Sequence, residues 1–389
     1  MKSTGIIVEY NPFHNGHKYH LEKAKEQGNI VIAVMSGDYV QRGEPAIINR
    51  WSRAEMALKN GVDIVVELPV FYSCQSAEIF ARGAIGILEI LKVESIVFGS
   101  EEGNIEKLES ILSLEETKEF KEKLLDNLKK GNSYPTSYGK ALECLQGDLK
   151  LLSNDILALE YMRAIKRNKS FIKGIPLKRE KVGYHEKKSC DNIMSATGIR
   201  EKITKKEDYK DYIPEASNII LEKEIFEGNI SFLEKYYDLI RYEILNNRDS
   251  LNEIQDIEIG YENKLYESAM KYNKFEDFYN SIISKRMTIG RVQRILIHIL
   301  INLTKQITVD VKNKVPYVRV MGFNKKGQEY LRKFKEDRRI IIGLKNIQKK
   351  LSDAERILLE FNEKASIIYK MKNFYEDKKI PIIIGEEEC

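Results

Sequence analysis

A doubly wound parallel α/β sheet, followed by a mainly helical C-terminal region with a small α/β unit, is the fold class this 389-residue sequence predicts. Three observations point there. Short, continuously apolar runs recur at 5–10 (GIIVEY), 29–37 (NIVIAVMSG), 63–69 (DIVVELP) and 95–100 (SIVFGS), as in parallel strands buried on both faces. The segments between them, 51–60 and 76–93, carry helical periodicity, and alternating β and α elements call for a Rossmann-like sheet. Each run also ends in polar or glycine-rich residues: SGDYVQRGEPA (36–46) after the second, ELP with Tyr72 and Gln75 nearby after the third, FGSEEG (98–103) after the fourth. A buried sheet has no structural need for so many, whereas open parallel sheets bind ligands across the carboxyl ends of their strands.

The first strand is the most informative. It runs through Asn11-Pro12 into His14-Asn15-Gly16-His17, where a helix should begin. A helix start offers unpaired N–H groups and the positive end of its dipole to an anion, and a triphosphate fits there. Gly16 removes a Cβ where backbone must approach phosphate, and His14 and His17, one turn apart, can donate to oxygens of one phosphoryl group. Attack on an α-phosphate builds negative charge on equatorial oxygens and on departing pyrophosphate, which pre-placed imidazole N–H groups stabilise without reorganising. Three of the five histidines, His14, His17 and His20, fall within seven positions. Histidines three apart can also share a metal ion, but no Asp, Glu or Cys joins them between His14 and His20.

Further along, 105–170 reads as mainly helical, with SNDILALEYMRAI (153–165) a helix capped by Ser153 or Asn154. A further strand at 173–182 (KGIPLKREKV) would close the sheet. At 193–203 (IMSATGIREKI), Ser195 and Thr197 sit at a helix start with Arg200 one turn in, a second donor-rich terminus that pairs with HNGH as a phosphate clamp. Residues 215–300 are helical; within 286–299, Arg291 and Arg294 form a basic stripe and His298 lies beside an apolar face as a packed core histidine. The small α/β unit spans 301–350 (PYVRVMGF, a Lys/Arg-rich helix, RRIIIGL), and 352–375 is a final helix. The expected division is a catalytic domain at 1–205 and a basic, mainly helical region at 206–389.

Composition narrows the function. No stretch reaches the ~20 apolar residues of a membrane span and no signal-peptide pattern precedes the first strand, so a cytoplasmic protein is expected. Cys74, Cys144, Cys190 and Cys389 are scattered, without the spacing of a zinc ribbon or a disulfide framework. The net charge of +5 is unevenly spread: residues 285–350 hold 18 Lys and Arg against four acids, leaving the rest of the chain net acidic. Such polarity suggests that an anionic macromolecule docks on the late segment.

HxGH after the first strand, with a late S/T-x-x-R helix start, resembles the nucleotidylyltransferase and class I synthetase superfamily, making the expected sheet one of nucleotidylyltransferase type. The ordered blocks EYNPFHNGHKYH, SGDYVQRGEPAI, ELPVFYSCQSAEIFARGA, FGSEEG, SNDILALEY, SATGIR and PYVRVMGF more closely resemble the bacterial tRNA(Met) cytidine acetate ligase family, over residues 1 to about 330. That resemblance implies a ligase that makes acetyl-adenylate and pyrophosphate from acetate and ATP, then acetylates N4 of the wobble cytidine of elongator tRNA(Met). It also implies an ATP pocket along Ile7, Val8, Glu9, Tyr10, Asn11, Pro12, Phe13, His14, Asn15, Gly16, His17, Lys18, Tyr19 and His20, completed by Gly103, Asn154 and Arg179. Ser195, Thr197 and Arg200 match the second phosphate motif and join the two histidines as catalytic candidates.

The chemistry fits this reading. Acetate is a poor acyl donor, and adenylation gives it AMP as leaving group, so no serine or cysteine nucleophile is needed; no nucleophile elbow is recognisable. Arg42, Arg179, Arg200 and Lys18 are candidates for offsetting carboxylate and phosphate charge. Mg²⁺ would be held through phosphates, without a dedicated protein metal site. Arg291, Arg294, Lys325 and Lys326 would contact tRNA backbone in a salt-dependent way, while Tyr317, Phe323 and Tyr330 read as core aromatics. A nucleotidylyltransferase acting on a phosphorylated small molecule, or a non-enzymatic RNA-binding factor on a degenerate nucleotide fold, are the competing readings.

Overall fold

The computed structural model describes residues 1–132, 134–146, 153–178, 192–344, 347 and 351–385. Ten strands lie among them: β1 (Ser3–Val8), β2 (Ile30–Ser36), β3 (Tyr39–Val40), β4 (Glu44–Pro45), β5 (Ile64–Leu68), β6 (Ser95–Ser100), β7 (Lys173–Lys178), β8 (Val318–Phe323), β9 (Ile340–Ile341) and β10 (Ile382–Ile383). The central sheet has the order β10-β8-β5-β2-β1-β6-β7, with β9 beside β8, and β3 with β4 forms a separate ribbon.

From β5 to β7 all neighbours are parallel, with Ile6 opposite Ala33 and Ser95 opposite Lys173. The chain works outward from β1 through β2 to β5, then crosses back to β6 and β7 on the other side. This reversal opens a crevice between the carboxyl ends of β1 and β6, where such sheets bind ligands. β2 explains why its apolar run is unbroken. Ile30, Ile32 and Val34 enter one hydrophobic core, and Val31, Ala33 and Met35 enter a second on the opposite face.

The expected small α/β unit at 301–350 is not separate. Its strand β8 is buried throughout and pairs antiparallel with β5, Ile64 lying opposite Phe323. The sheet is therefore not confined to residues 1–205. An exposed β5 edge would leave a row of unpaired N–H and C=O groups, which β8 satisfies. The helix Asp353–Lys370 also docks on this core: Asn362 Oδ1 accepts from Val70 N–H at 2.8 Å, and Tyr369 donates its hydroxyl proton to the Ala46 carbonyl at 2.9 Å. No helix among the described residues is long and apolar enough to cross a membrane.

Candidate active site

The HNGH segment builds its own geometry. His14 is the extended residue capping the helix Asn15–Lys25. Its Nδ1 accepts from Gly16 N–H at 3.0 Å, while its own N–H donates to His17 Nδ1 at 3.4 Å. Both Nδ1 atoms are acceptors, so each neutral ring carries its proton on Nε2. The rings lie 3.7 Å apart, centroid to centroid, and are tilted by 30° to one another. Tyr10 and Phe13 brace His17 at 5.0 and 5.8 Å. Gly16 is required for a reason the sequence did not reveal: a Cβ there would sit 2.9 Å from His14 Cε1 and displace the capping imidazole.

The second expected jaw is brought against the first. Asn15 donates through Nδ2 to the carbonyls of Asn192 and Asp211, both at 2.9 Å. Ser195 caps the helix Ala196–Lys205 by accepting from Gly198 N–H at 3.2 Å. Arg200 donates to the Asn11 carbonyl at 3.0 Å, to Glu44 at 3.1 Å and to Thr197 Oγ1 at 3.4 Å. Its guanidinium therefore sits on the HNGH loop, almost two hundred residues away in sequence.

On the other side of the crevice, the ends of β6 and β7 converge. Asp155 Oδ1 accepts from Ser100 Oγ at 2.6 Å and from Glu102 N–H at 3.1 Å. Asn154 donates to Glu101 at 2.5 Å, which holds the start of the helix Ser153–Asn168 against the turn after β6. Gly103 adopts φ +64°, and a Cβ there would meet Lys178 Cβ at 2.5 Å, so only glycine lets this turn approach the end of β7. Gly103 and Asn154 thus flank one turn; Arg179, expected with them, lies outside the described residues, as do Cys190, Cys389 and residues 179–182 of the anticipated strand.

Arg53 is a site residue the sequence reading missed. It is fully buried, and it donates to the carbonyls of Glu9 at 2.7 Å, Ser36 at 3.0 Å, Ile48 at 3.1 Å and, most closely, Gly37. It ties together the carboxyl ends of β1 and β2, from which the HNGH and SGDYVQRG loops leave. The one available signal was Arg53 itself, with Arg50 just before the segment read as helical at 51–60. Glu9 stands beside this clamp and accepts from Gln41 N–H at 3.0 Å. Burial raises its carboxyl pKa, and the Gln41 N–H and the Arg200 and Arg42 charges only partly offset this.

Other expected site residues have different places. His20 faces the sheet and donates through Nε2 to the Val97 carbonyl at 3.0 Å, so that ring fastens the helix to β6. Ile7 and Val8 belong to β1, Tyr10 and Phe13 are buried supports, and Lys18 and Tyr19 are exposed. Arg291 and Arg294 are held by acids, Arg291 on Glu258 at 2.6 Å and Arg294 on Asp256 at 3.4 Å. Lys325 and Lys326 start a helix after β8, which runs antiparallel, so they lie at the amino edge of the sheet, opposite HNGH. The late basic segment is accordingly not one surface: Arg319 is buried, and Arg338 and Arg339 pair with Glu355 and Asp337 at 2.7 Å. Among the described residues no group of three or more His, Cys, Asp or Glu is placed to hold a metal.

Comparison with known proteins agrees with this geometry. The family described as HIGH Nucleotidyl Transferase matches residues 1–380. The tRNA(Met) cytidine acetate ligase of Fusobacterium nucleatum subsp. nucleatum is 48% identical over 395 residues, covering 98% of both chains. That of Caldicellulosiruptor saccharolyticus is 41% identical over 404 residues, with full coverage of both. Among solved structures, Thermotoga maritima TmcAL bound with alpha-thio ATP superposes with a TM-score of 0.89 at 33% identity, over 99% of this chain and 100% of that one. Likeness at this level over both full lengths places the chain in the tRNA(Met) cytidine acetate ligase family, within the HIGH nucleotidyl transferases.

Proposed function

We propose that this chain activates acetate with ATP and transfers the acetyl group to N4 of the wobble cytidine of elongator tRNA(Met). The observation that carries the reading is the close His14–His17 ring pair at the switch point of a mostly parallel sheet. An acetate oxygen attacks the α-phosphorus, the bond to the β-phosphate oxygen breaks, and pyrophosphate leaves. Charge grows on the α-phosphoryl and the departing group, and the His14 and His17 imidazoles, oriented by hydrogen bonds at Nδ1, stabilise it. Arg200, on the adjoining helix, supports the same phosphates, and Gly103 with Asn154 flanks the nucleotide on the β6 side. The cytosine amine then attacks the acetyl carbonyl carbon, AMP leaves, and N4 gives up a proton. Mg²⁺, an ion that needs few protein ligands, would be held chiefly by the ATP and would help to offset its phosphate charge.

Pyrophosphate exchange into ATP tests the first step. Exchange should require acetate; exchange driven by a phosphorylated metabolite would instead favour a nucleotidylyltransferase. His17→Ala should lower exchange by roughly 10²–10³-fold while tRNA is still retained on a filter, since one pre-placed donor is worth about that much. The second step is checked by incubating the protein with ATP, labelled acetate and unmodified tRNA(Met), followed by nucleoside analysis for N4-acetylcytidine.

A further inference from the structure

A cleft of about 950 Å³ opens beside the candidate nucleotide site, and the activation chemistry makes no use of it. One wall is the helix Tyr134–Gln146, the floor is the helix Ser153–Asn168, and the start of the helix Ile289–Ile301 closes the far side. The two sites are contiguous at two points. Gln41 lines the cleft while its N–H holds Glu9 at 3.0 Å, and Ile156 lines it two positions beyond Asn154. Acetate would fill a small fraction of this space, so the volume suits something larger that must reach the activated acetyl group.

The lining favours unpaired nucleotides. Tyr134 is 57% exposed and lies over Tyr138, ring centroids 6.2 Å apart and planes within 27°. The Arg163 guanidinium lies 5.3 Å from the Tyr138 ring and is fastened by Glu115 and by Glu160 at 2.5 Å. Arg163 also donates to the Tyr138 hydroxyl at 2.9 Å, so Tyr138 is held in place and exposed Tyr134 stacks on it, the kind of aromatic platform on which single-stranded bases are held. Arg82, Arg163, Arg167, Arg291 and Arg294 line the same cleft. Glutamates interleave with them, so the cleft is not an undifferentiated cationic surface. Arg167 is 55% exposed and only loosely paired, 3.9 Å from Glu78, which leaves it able to meet a phosphate.

We infer that this cleft receives the unpaired nucleotides flanking the base that is acetylated, with one base stacked on Tyr134 and backbone phosphate against Arg167. The inference rests on the RNA-acetylating reading above and adds the place where the RNA strand lies. It also gives Arg294 and Arg291 a position at the rim, as parts of a walled cleft rather than of an open basic stripe.

The test uses the full chain, unmodified tRNA(Met) transcript and three substitutions away from the activation machinery: Tyr134→Ala, Tyr134→Phe and Arg167→Glu. Tyr134→Ala should raise the half-saturating tRNA concentration for acetyl transfer roughly tenfold, the usual weight of one base stack, with acetate-dependent pyrophosphate exchange unchanged. Tyr134→Phe keeps the ring and should stay within about twofold of the parent. Arg167→Glu should flatten the slope of log affinity against log salt by about one unit or more, because a phosphate contact is lost. If the parent chain transfers acetyl to tRNA and Tyr134→Ala does so with unchanged half-saturation, the cleft assignment is wrong and the function stands. Equal loss of exchange in Tyr134→Ala also overturns it, since the helix would then be supporting the nucleotide site. A parent chain with acetate-dependent exchange but no transfer to tRNA would remove the functional reading, and the cleft assignment with it.

Discussion

At the scale of single residues, the HNGH segment was legible because its chemistry is local. Four consecutive residues supply the cap, the imidazoles and the glycine, and the hydrogen bonds from His14 to Gly16 and His17 span at most three positions, although Asn15 is tied to Asn192 and Asp211. The reason for Gly16 was not legible, since it depends on where the His14 ring turns. That contact makes a sharp prediction. Gly16→Ala should displace the capping ring, costing about 1 kcal/mol of stability, the usual worth of a lost cap, and cutting pyrophosphate exchange by an order of magnitude or more. Urea unfolding and exchange kinetics on one preparation check both; a stable variant with normal exchange would mean that the ring tolerates the methyl group. His298 followed the sequence reading: fully buried, its ring nitrogens lie 2.7 Å from the Cys74 carbonyl and 3.1 Å from that of Gln255.

At the scale of elements, strand runs and helix starts were readable from periodicity and capping residues, but their company was not. Arg53 illustrates why. Its value lies in holding the carbonyls of Glu9, Ser36, Gly37 and Ile48 at once, and those belong to two strand ends and a loop. Lysine keeps the charge but has one compact ammonium in place of a planar fork. Arg53→Lys should therefore lower the kcat of acetate-dependent exchange by roughly tenfold or more as the strand ends drift apart. It should leave tRNA retention on filters intact. A variant that loses thermal stability while keeping kcat would confine Arg53 to folding. The basic segment illustrates the same limit: Arg291 and Arg294 reach the cleft at the carboxyl edge, whereas Lys325 and Lys326 follow an antiparallel strand to the opposite edge.

At the scale of the molecule, a buried ionic cluster joins the two ends of the chain. Arg50, fully buried, donates to Glu67 at 2.8 Å and to Glu363 and Asp377, each at 3.1 Å, while Arg319 of β8 reaches Glu67 at 3.4 Å. Burial alone would raise the Glu67 pKa, but the Arg50 and Arg319 charges outweigh it and hold it below the ordinary 4.5. Its contribution to stability is thus fully present above that ordinary value and is lost as pH falls through the lower folded one. Glu67→Gln should cost about 3 kcal/mol near neutrality, because the buried guanidinium groups of Arg50 and Arg319 lose one of their carboxylate partners. The gap from the parent should narrow in urea titrations below about pH 4.5; a gap that stays constant would mean Glu67 acts through packing alone. The sequence by itself determined the alternating α/β pattern, the HNGH helix start after the first strand and the capped helix at Ser195, because each is written in contacts a few residues long. Only the tertiary structure decided that β8 completes the sheet, that Arg53 and Arg200 converge on the first loop, and that an aromatic cleft lies alongside. Those pairings run from five residues, Arg53 to Ile48, to almost two hundred, Arg200 to Asn11, and to more between β8 and β5, and no periodicity in a linear chain encodes which charge will meet which carbonyl.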